Sequence, residues 1–306
     1  MMQTRGIVKT TGLIPILVLS SLPLLSETPQ ERSQEISPTT VTLNPGTTEL
    51  QLEHDGHLRE ILVRLPDDYN PQKRYSVVFG FHGAGGPMEA YHRQLEPLVR
   101  EHGMISVSPL GISNAEGKTG WNGFANHRIS NTDDVGFVAK TIDHLDSIAS
   151  IDRDRLFATG GSSGAIFCFR LAMETDLFAA IAPMRGAMIK RPPVPQGRPK
   201  LSILLACGDE DGLFTGNTQN PNEVFYPAYE TMSLWAANHD ASDTSPTVLR
   251  DSDGLSLTRY SPADAPYELM LYAVKGRGHR LERSESEEAI RFMGEFFSRH
   301  SKTEVK

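Results

Sequence analysis

Residues 156–168 read Leu156-Phe157-Ala158-Thr159-Gly160-Gly161-Ser162-Ser163-Gly164-Ala165-Ile166-Phe167-Cys168, and the order of their types decides the fold. Four residues of strand character run into a Gly/Ser turn, and an apolar helical stretch follows through Leu171. The turn is a G-x-S-x-G. Small neighbours tolerate the strained bend and let the serine hydroxyl project from the carboxyl edge of a sheet. A helix starting at Ser163 would aim that residue's backbone N–H at a carbonyl under attack by Ser162. A Gly/Ser turn alone has no chemical meaning; the flanking strand and helix make Ser162 a candidate nucleophile.

Working outward, the same strand–helix alternation recurs. Upstream, TELQLEH and LREILVRLP flank His54-Asp55-Gly56-His57, a hairpin signal, and Tyr75 to His82 is a nearly continuous apolar run suited to a strand buried on both faces. A helix is expected from Met88 to His102, a strand from Met104 to Val107, and a Gly/Asn/Ser loop to about Asn131. Asn131-Thr132-Asp133-Asp134 supplies a cap and dipole-favoured acids before the periodic VGFVAKTIDHLDSIA. Downstream, strands are expected at Phe178–Ala182, Leu201–Ala206 and Glu268–Val274, with helices at Tyr226–Asn238 and Ser286–Arg299 and an extra hairpin within Thr247–Tyr260. Strands alternating with helices imply an α/β fold with a mainly parallel central sheet and helices on both faces.

A serine hydroxyl needs a base, and the base needs an acid to orient it. His279 lies in Lys275-Gly276-Arg277-Gly278-His279, a Gly-rich loop directly after the last expected strand. The other histidines after Ser162 sit at a helix end (His239) and in the polar C-terminal tail (His300). The acid belongs after the strand through Leu205, where Cys207-Gly208-Asp209-Glu210-Asp211-Gly212 offers three candidates. Asp211 is favoured, because three residues past the turn at Gly208 bring its carboxylate back toward the histidine loop; Asp209 is the rival. Phe81-His82-Gly83-Ala84-Gly85-Gly86 follows an early buried strand, the place for a further oxyanion donor from the N–H of Gly83 or Ala84. It lacks the Lys-Ser/Thr ending of a phosphate loop.

Composition excludes other classes. The 306-residue chain carries a net charge of −8, with 39% apolar and 22% charged residues. An acidic body is a poor partner for nucleic acid or an anionic membrane. Arg5 and Lys9 precede an apolar run from Gly12 to Leu25, too short to span a bilayer comfortably, and small residues at Ser20, Ser21 and Ser26 offer cleavage points. Residues 1–26 therefore read as an export signal and 27–38 as a polar tether, leaving 39–306 as one catalytic domain in a secreted or periplasmic protein with no stable membrane insertion. Cys168 and Cys207 lie in core-like stretches and read as buried free thiols, without metal-ligand spacing.

The blocks HGAGG, GWNGF (Gly120–Phe124), DDVGF (Asp133–Phe137), IDRDRLFATGGSSGA, GDED and GRGH together resemble the secreted polyhydroxybutyrate depolymerase/feruloyl esterase-like family of α/β-hydrolases, over roughly residues 75 to 282. The resemblance implies an α/β-hydrolase fold and places nucleophile, acid and base on Ser162, Asp211 and His279. Two departures stand out. The larger residue usual just before the nucleophile is Gly161, and the Trp-Pro usual just after the histidine is replaced by Arg280-Leu281-Glu282. Both bear on substrate rather than on chemistry.

Asp133 and Asp134 suit helix capping and pairing with a basic residue, against a substrate or metal role. Trp121 and Phe124 either line an acyl or aromatic pocket or anchor their loop. The expectation is a serine carboxylic-ester hydrolase, with oxyanion donors at Gly83, Ala84 and Ser163 and no metal or organic cofactor. Its expected substrates are feruloyl or acetyl esters of polysaccharides. The alternatives are a polyhydroxyalkanoate depolymerase, a peptidase of the same fold, and a non-catalytic binding protein built on it.

Overall fold

The computed structural model describes residues 43–124, 129–190, 199–216 and 225–302. These fall in one compact unit, Thr40–Lys306, whereas the expected export signal and tether lie outside the described residues. In chain order the strands are β1 (Gly46–His54), β2 (His57–Leu65), β3 (Tyr75–Phe81), β4 (Ile105–Pro109), β5 (Ile112–Ser113), β6 (Thr119–Gly120), β7 (Ile151–Gly161), β8 (Ala180–Met184), β9 (Ser202–Gly208), β10 (Thr247–Asp251), β11 (Leu255–Arg259) and β12 (Leu269–Val274). The helices are α1 (Met88–Gln94), α2 (Glu96–His102), α3 (Asp134–Ile148), α4 (Ser163–Glu174), α5 (Gly212–Thr215), α6 (Ala228–Asn238) and α7 (Arg283–Ser298).

Ten strands form one sheet in the order β1-β2-β4-β3-β7-β8-β9-β12-β11-β10, while β5 and β6 form a small separate ribbon. The central run from β4 to β12 is parallel throughout. Antiparallel pairs β1–β2 and β10–β11 close the two ends. The β1–β2 hairpin turns on Asp55 and Gly56, both at positive φ (51° and 72°), the geometry that matches the twist of antiparallel strands.

Side-chain alternation divides the core between the two faces of the sheet. Val77, Phe79 and Phe81 of β3 pack with residues of α3, α4 and α6, and Val78 packs with α1, α2 and α7. One expected helix, Met88–His102, is two. The chain breaks at Leu95, and Pro97 then falls in the first turn of α2, where its missing N–H costs nothing.

The sheet order determines what can meet. Strands β9 and β12 are neighbours, so the loops at their carboxyl ends lie side by side, and β7 delivers its own turn two strands further along, beyond β8.

Candidate active site

The turn after β7 is strained. Ser162 adopts φ 54°, ψ −113°, a conformation that L-residues seldom hold. Its N–H is fixed by the Met184 carbonyl at 3.1 Å, and its own carbonyl starts α4 by accepting from Ala165 and Ile166. A side chain at Gly164 would run into the Phe81 carbonyl, so only glycine lets the helix approach β3 this closely. No side chain caps α4, and its first N–H groups, beginning with Ser163, have no intrahelical acceptor by geometry.

His279 Nε2 lies 3.2 Å from Ser162 Oγ, and His279 Nδ1 lies 2.8 Å from Asp211 Oδ2. With Nδ1–H donating to the carboxylate, Nε2 is left as acceptor for the serine hydroxyl. Asp211 is only 4% exposed, while the imidazole stays partly open to solvent. The second Asp211 oxygen accepts the Leu213 N–H at 3.0 Å, capping α5. Asp209, the rival acid, points elsewhere and accepts the Gly276 N–H at 2.7 Å, bracing the start of the histidine loop. Glu210 is exposed and donates its backbone N–H to the Arg277 carbonyl.

The structure sets Gly83 and Ala84 beside this line: a Cβ on Gly83 would sit 3.5 Å from Ser162 Cβ. The clamp on that loop is His82, a residue whose role the sequence did not disclose. Its Nε2 accepts the Gly111 N–H at 2.9 Å, so Nδ1 carries the proton and donates to the Gly83 carbonyl at 2.8 Å. Burial holds this imidazole below its ordinary value, in keeping with a neutral clamp. The Gly86 N–H binds the same carbonyl at 2.9 Å. With the carbonyl gripped, the trans peptide points the Ala84 N–H the opposite way, and among the described residues that N–H meets no acceptor. Thr119 on β6 accepts the Gly85 N–H at 2.7 Å, so the small ribbon buttresses the loop.

Trp121 and Phe124 anchor rather than line. Trp121 is fully buried, stacks on Phe167 at 5.2 Å and donates its indole N–H to the His82 carbonyl at 2.9 Å. Phe124 is 6% exposed and lies under the Arg170 guanidinium. Both are spent on packing, which corrects the pocket assignment. Asp133 caps α3 through the Gly136 N–H. Asp134 is fully buried, paired with Arg59 at 2.9 Å, and also accepts from the Asn122 N–H, Ser130 and Thr132. It ties β2 to the loop that carries Trp121. Cys168 and Cys207 are buried and unbridged. Burial pushes the Cys207 thiol up to about 12, so it is an inert packing group.

No protein-family model matches the chain. Among curated proteins it is 30% identical over 139 residues to feruloyl esterase C of Emericella nidulans, covering 43% of this chain and 47% of that protein. It is 28% identical over 188 residues to feruloyl esterase D of Neurospora crassa, covering 57% and 60%. The chain thus spans about half the length of the curated relatives it matches. Solved structures of similar shape include an acetyl xylan esterase from Aspergillus awamori (18% identity, 80% of this chain, 99% of that one, TM-score 0.55). Another is the poly(3-hydroxybutyrate) depolymerase LpqC from Bordetella parapertussis (15% identity, 82% and 88%, TM-score 0.55). The chain therefore has the α/β-hydrolase fold, and its likenesses are to the feruloyl esterase and polyhydroxybutyrate depolymerase-like group that its motifs suggested.

Proposed function

We propose that the chain is an exported serine carboxylic-ester hydrolase acting through Ser162, His279 and Asp211. The observation that carries this is the unbroken hydrogen-bonded line from Asp211 through His279 to Ser162, at 2.8 and 3.2 Å. As the ester carbonyl is attacked by Ser162 Oγ, His279 Nε2 takes the hydroxyl proton and Asp211 stabilises the imidazolium. The Ser163 and Ala84 N–H groups hold the developing oxyanion. His279 returns the proton to the departing alcohol, leaving an acyl-serine. Water, deprotonated by the same imidazole, then releases the acid and restores the serine.

Feruloyl or acetyl esters of polysaccharides are the substrates this reading favours. Its support is the sequence similarity to two feruloyl esterases, which the polyester reading lacks because its neighbour shares shape alone. Export rests on the sequence of residues 1–26; among the described residues no helix is long and apolar enough to cross a membrane. Labelling by a fluorophosphonate probe, lost in Ser162→Ala, tests the enzyme reading against a non-catalytic binding protein. Parallel assays on methyl ferulate, acetylated xylan and a polyhydroxybutyrate suspension test the substrate. Clearing of the suspension alone would replace the polysaccharide-ester reading with the polyester one.

A further inference from the structure

The residue before the nucleophile, Gly161, leaves a space that a neighbour fills. A Cβ placed there would lie 2.9 Å from Arg185 Nη2 and 3.3 Å from Tyr91 Cε2. The guanidinium therefore occupies the place where the family's larger residue would stand. Arg185 follows β8 directly, and the carbonyl of its predecessor, Met184, holds the Ser162 N–H. Arg185 itself sits at φ 52°, with its N–H bonded to the Ala206 carbonyl at 2.7 Å. A non-glycine residue at positive φ is uncommon, and here it sets the guanidinium against Gly161.

What it aims is an unspent charge. Arg185 Nε is buried and unpartnered, and among the described residues its guanidinium makes no hydrogen bond or ion pair. Its Nη1 and Nη2, unlike Nε, are not sealed in, and they are the donors left to meet an acceptor supplied from outside. The side chain lines a cleft of about 790 Å3 between α1–α2 and α7, whose wall includes Leu281, two residues along the chain from His279. Arginines outnumber acids along it. Arg93, Arg100, Arg283 and Arg291 share the walls with Glu96, Glu101 and Glu287, and Glu287 is already engaged by Arg283 and Arg291. This basic cleft belongs to a chain of net charge −8, so it is not the general surface showing through.

We propose that this cleft is a carboxylate subsite for the ester substrate, with the Arg185 guanidinium as its anchor. The inference rests on Ser162 being the nucleophile and narrows the substrate class to esters carrying an acid group on the acyl or alcohol part, such as an esterified saccharide bearing a uronate. A guanidinium presents a planar fork of donors that matches the two oxygens of a carboxylate. The ester carbonyl then lies over Ser162 while the acid group is held on the α1–α7 side.

The test uses two matched pairs of esters, monomethyl glutarate against methyl valerate and δ-acetoxyvalerate against pentyl acetate. For each pair kcat/KM is measured for the acid-bearing and the neutral member, and their ratio is compared between the wild type, Arg185→Met and Arg185→Lys. The ratio is indifferent to any loss that both members share. In at least one pair it should fall about 10-fold or more in Arg185→Met, mainly through KM, and less in Arg185→Lys. Ratios within about twofold of wild type in both pairs would overturn the subsite. Should Arg185→Met not fold, the wild type decides: raising salt from about 0.02 to 0.5 M should lower the favoured ratio several-fold, and salt-independent ratios in both pairs overturn the proposal. Failure of the esterase reading looks different, because neither member of either pair would then be hydrolysed in a Ser162-dependent way.

Discussion

Gly208 lies so close to the Arg277 and Gly278 carbonyls that a side chain there would collide with both. This contact lets the chain carrying Asp211 run against the chain carrying His279, and the two side chains meet 68 residues apart in sequence. Asp211→Asn keeps the shape but favours the wrong imidazole tautomer, and kcat should fall by about 10⁴. Asp209→Asn keeps an oxygen that can accept the Gly276 N–H and removes only the charge from that bond, so it should cost about tenfold or less. Ester hydrolysis by the two variants at one pH checks this ranking; the reverse order would move the acid to Asp209.

Ser162→Ala and Ser162→Gly should both lose about 10⁶ in turnover, and they should differ in stability. At φ 54°, ψ −113° alanine keeps the strain of the turn and glycine relieves it. Set against glycine's greater entropy loss, the net advantage of Ser162→Gly over Ser162→Ala is about 1 kcal/mol. Urea midpoints of the two variants measure it, and equal midpoints would show the turn to be unstrained.

The Arg59–Asp134 pair is fully buried, and the guanidinium stacks 4.0 Å above the Phe137 ring. Asp134→Ala leaves that charge without its carboxylate and frees the Asn122 N–H and Ser130 with it. The expected loss is about 3–5 kcal/mol in denaturant unfolding. Asp133→Ala, on the exposed neighbouring cap, should cost about 1 kcal/mol. A loss of less than about 1 kcal/mol for Asp134→Ala would mean that the pair is not what fixes the loop.

Stability should decline on acidification in two successive windows. Burial, aided by Lys200, lowers His239 to about 4, so the unfolded chain takes up this proton first as pH falls below the ordinary value of 6.5. Its contribution is present above pH 6.5 and is lost on the way down to 4, about 3 kcal/mol in all. Burial alone would raise the Glu268 carboxyl, but hydrogen bonds from His300 and Arg299 outweigh it and hold the group at about 2. That contribution is present above pH 4.5 and is lost as pH falls toward 2. Unfolding free energies across this range should show His239→Gln flattening the upper window and Glu268→Gln the lower. An unchanged upper slope in His239→Gln would remove His239 from this account.

The strand–turn–helix at Ser162 could be read from sequence because glycine spacing and hydrophobic period are local properties. That the Asp211 carboxylate, and not that of Asp209, faces His279 follows from a turn at Gly208 that sets directions within three residues. Other parts depended on partners far along the chain. His82 stands in an obvious Gly-rich motif, yet its work depends on an N–H at Gly111, 29 residues on. Arg59 looks like an ordinary polar position in LREILVRLP, and only the packing of α3 against the sheet shows it to be buried. Trp121 resembled a pocket residue because an aromatic in a long loop carries no mark of which way it turns. The break at Leu95 was available in Pro97 but hidden by the helical period running through it.

The sheet order also sets when the proposed chemistry can begin. Strand β12 is the last of the parallel strands to be made, yet it is seated inside the sheet, between β9 and β11. A growing chain that has just passed β9 already holds Ser162 and Asp211, but it ends on an open parallel edge and lacks the His279 imidazole that joins them. Reactivity arrives with the final segment, when residues 269–279 dock along that edge. On the proposed mechanism a chain without residues 269–279 would be inert, and the docking that covers the open β9 edge would also complete the triad.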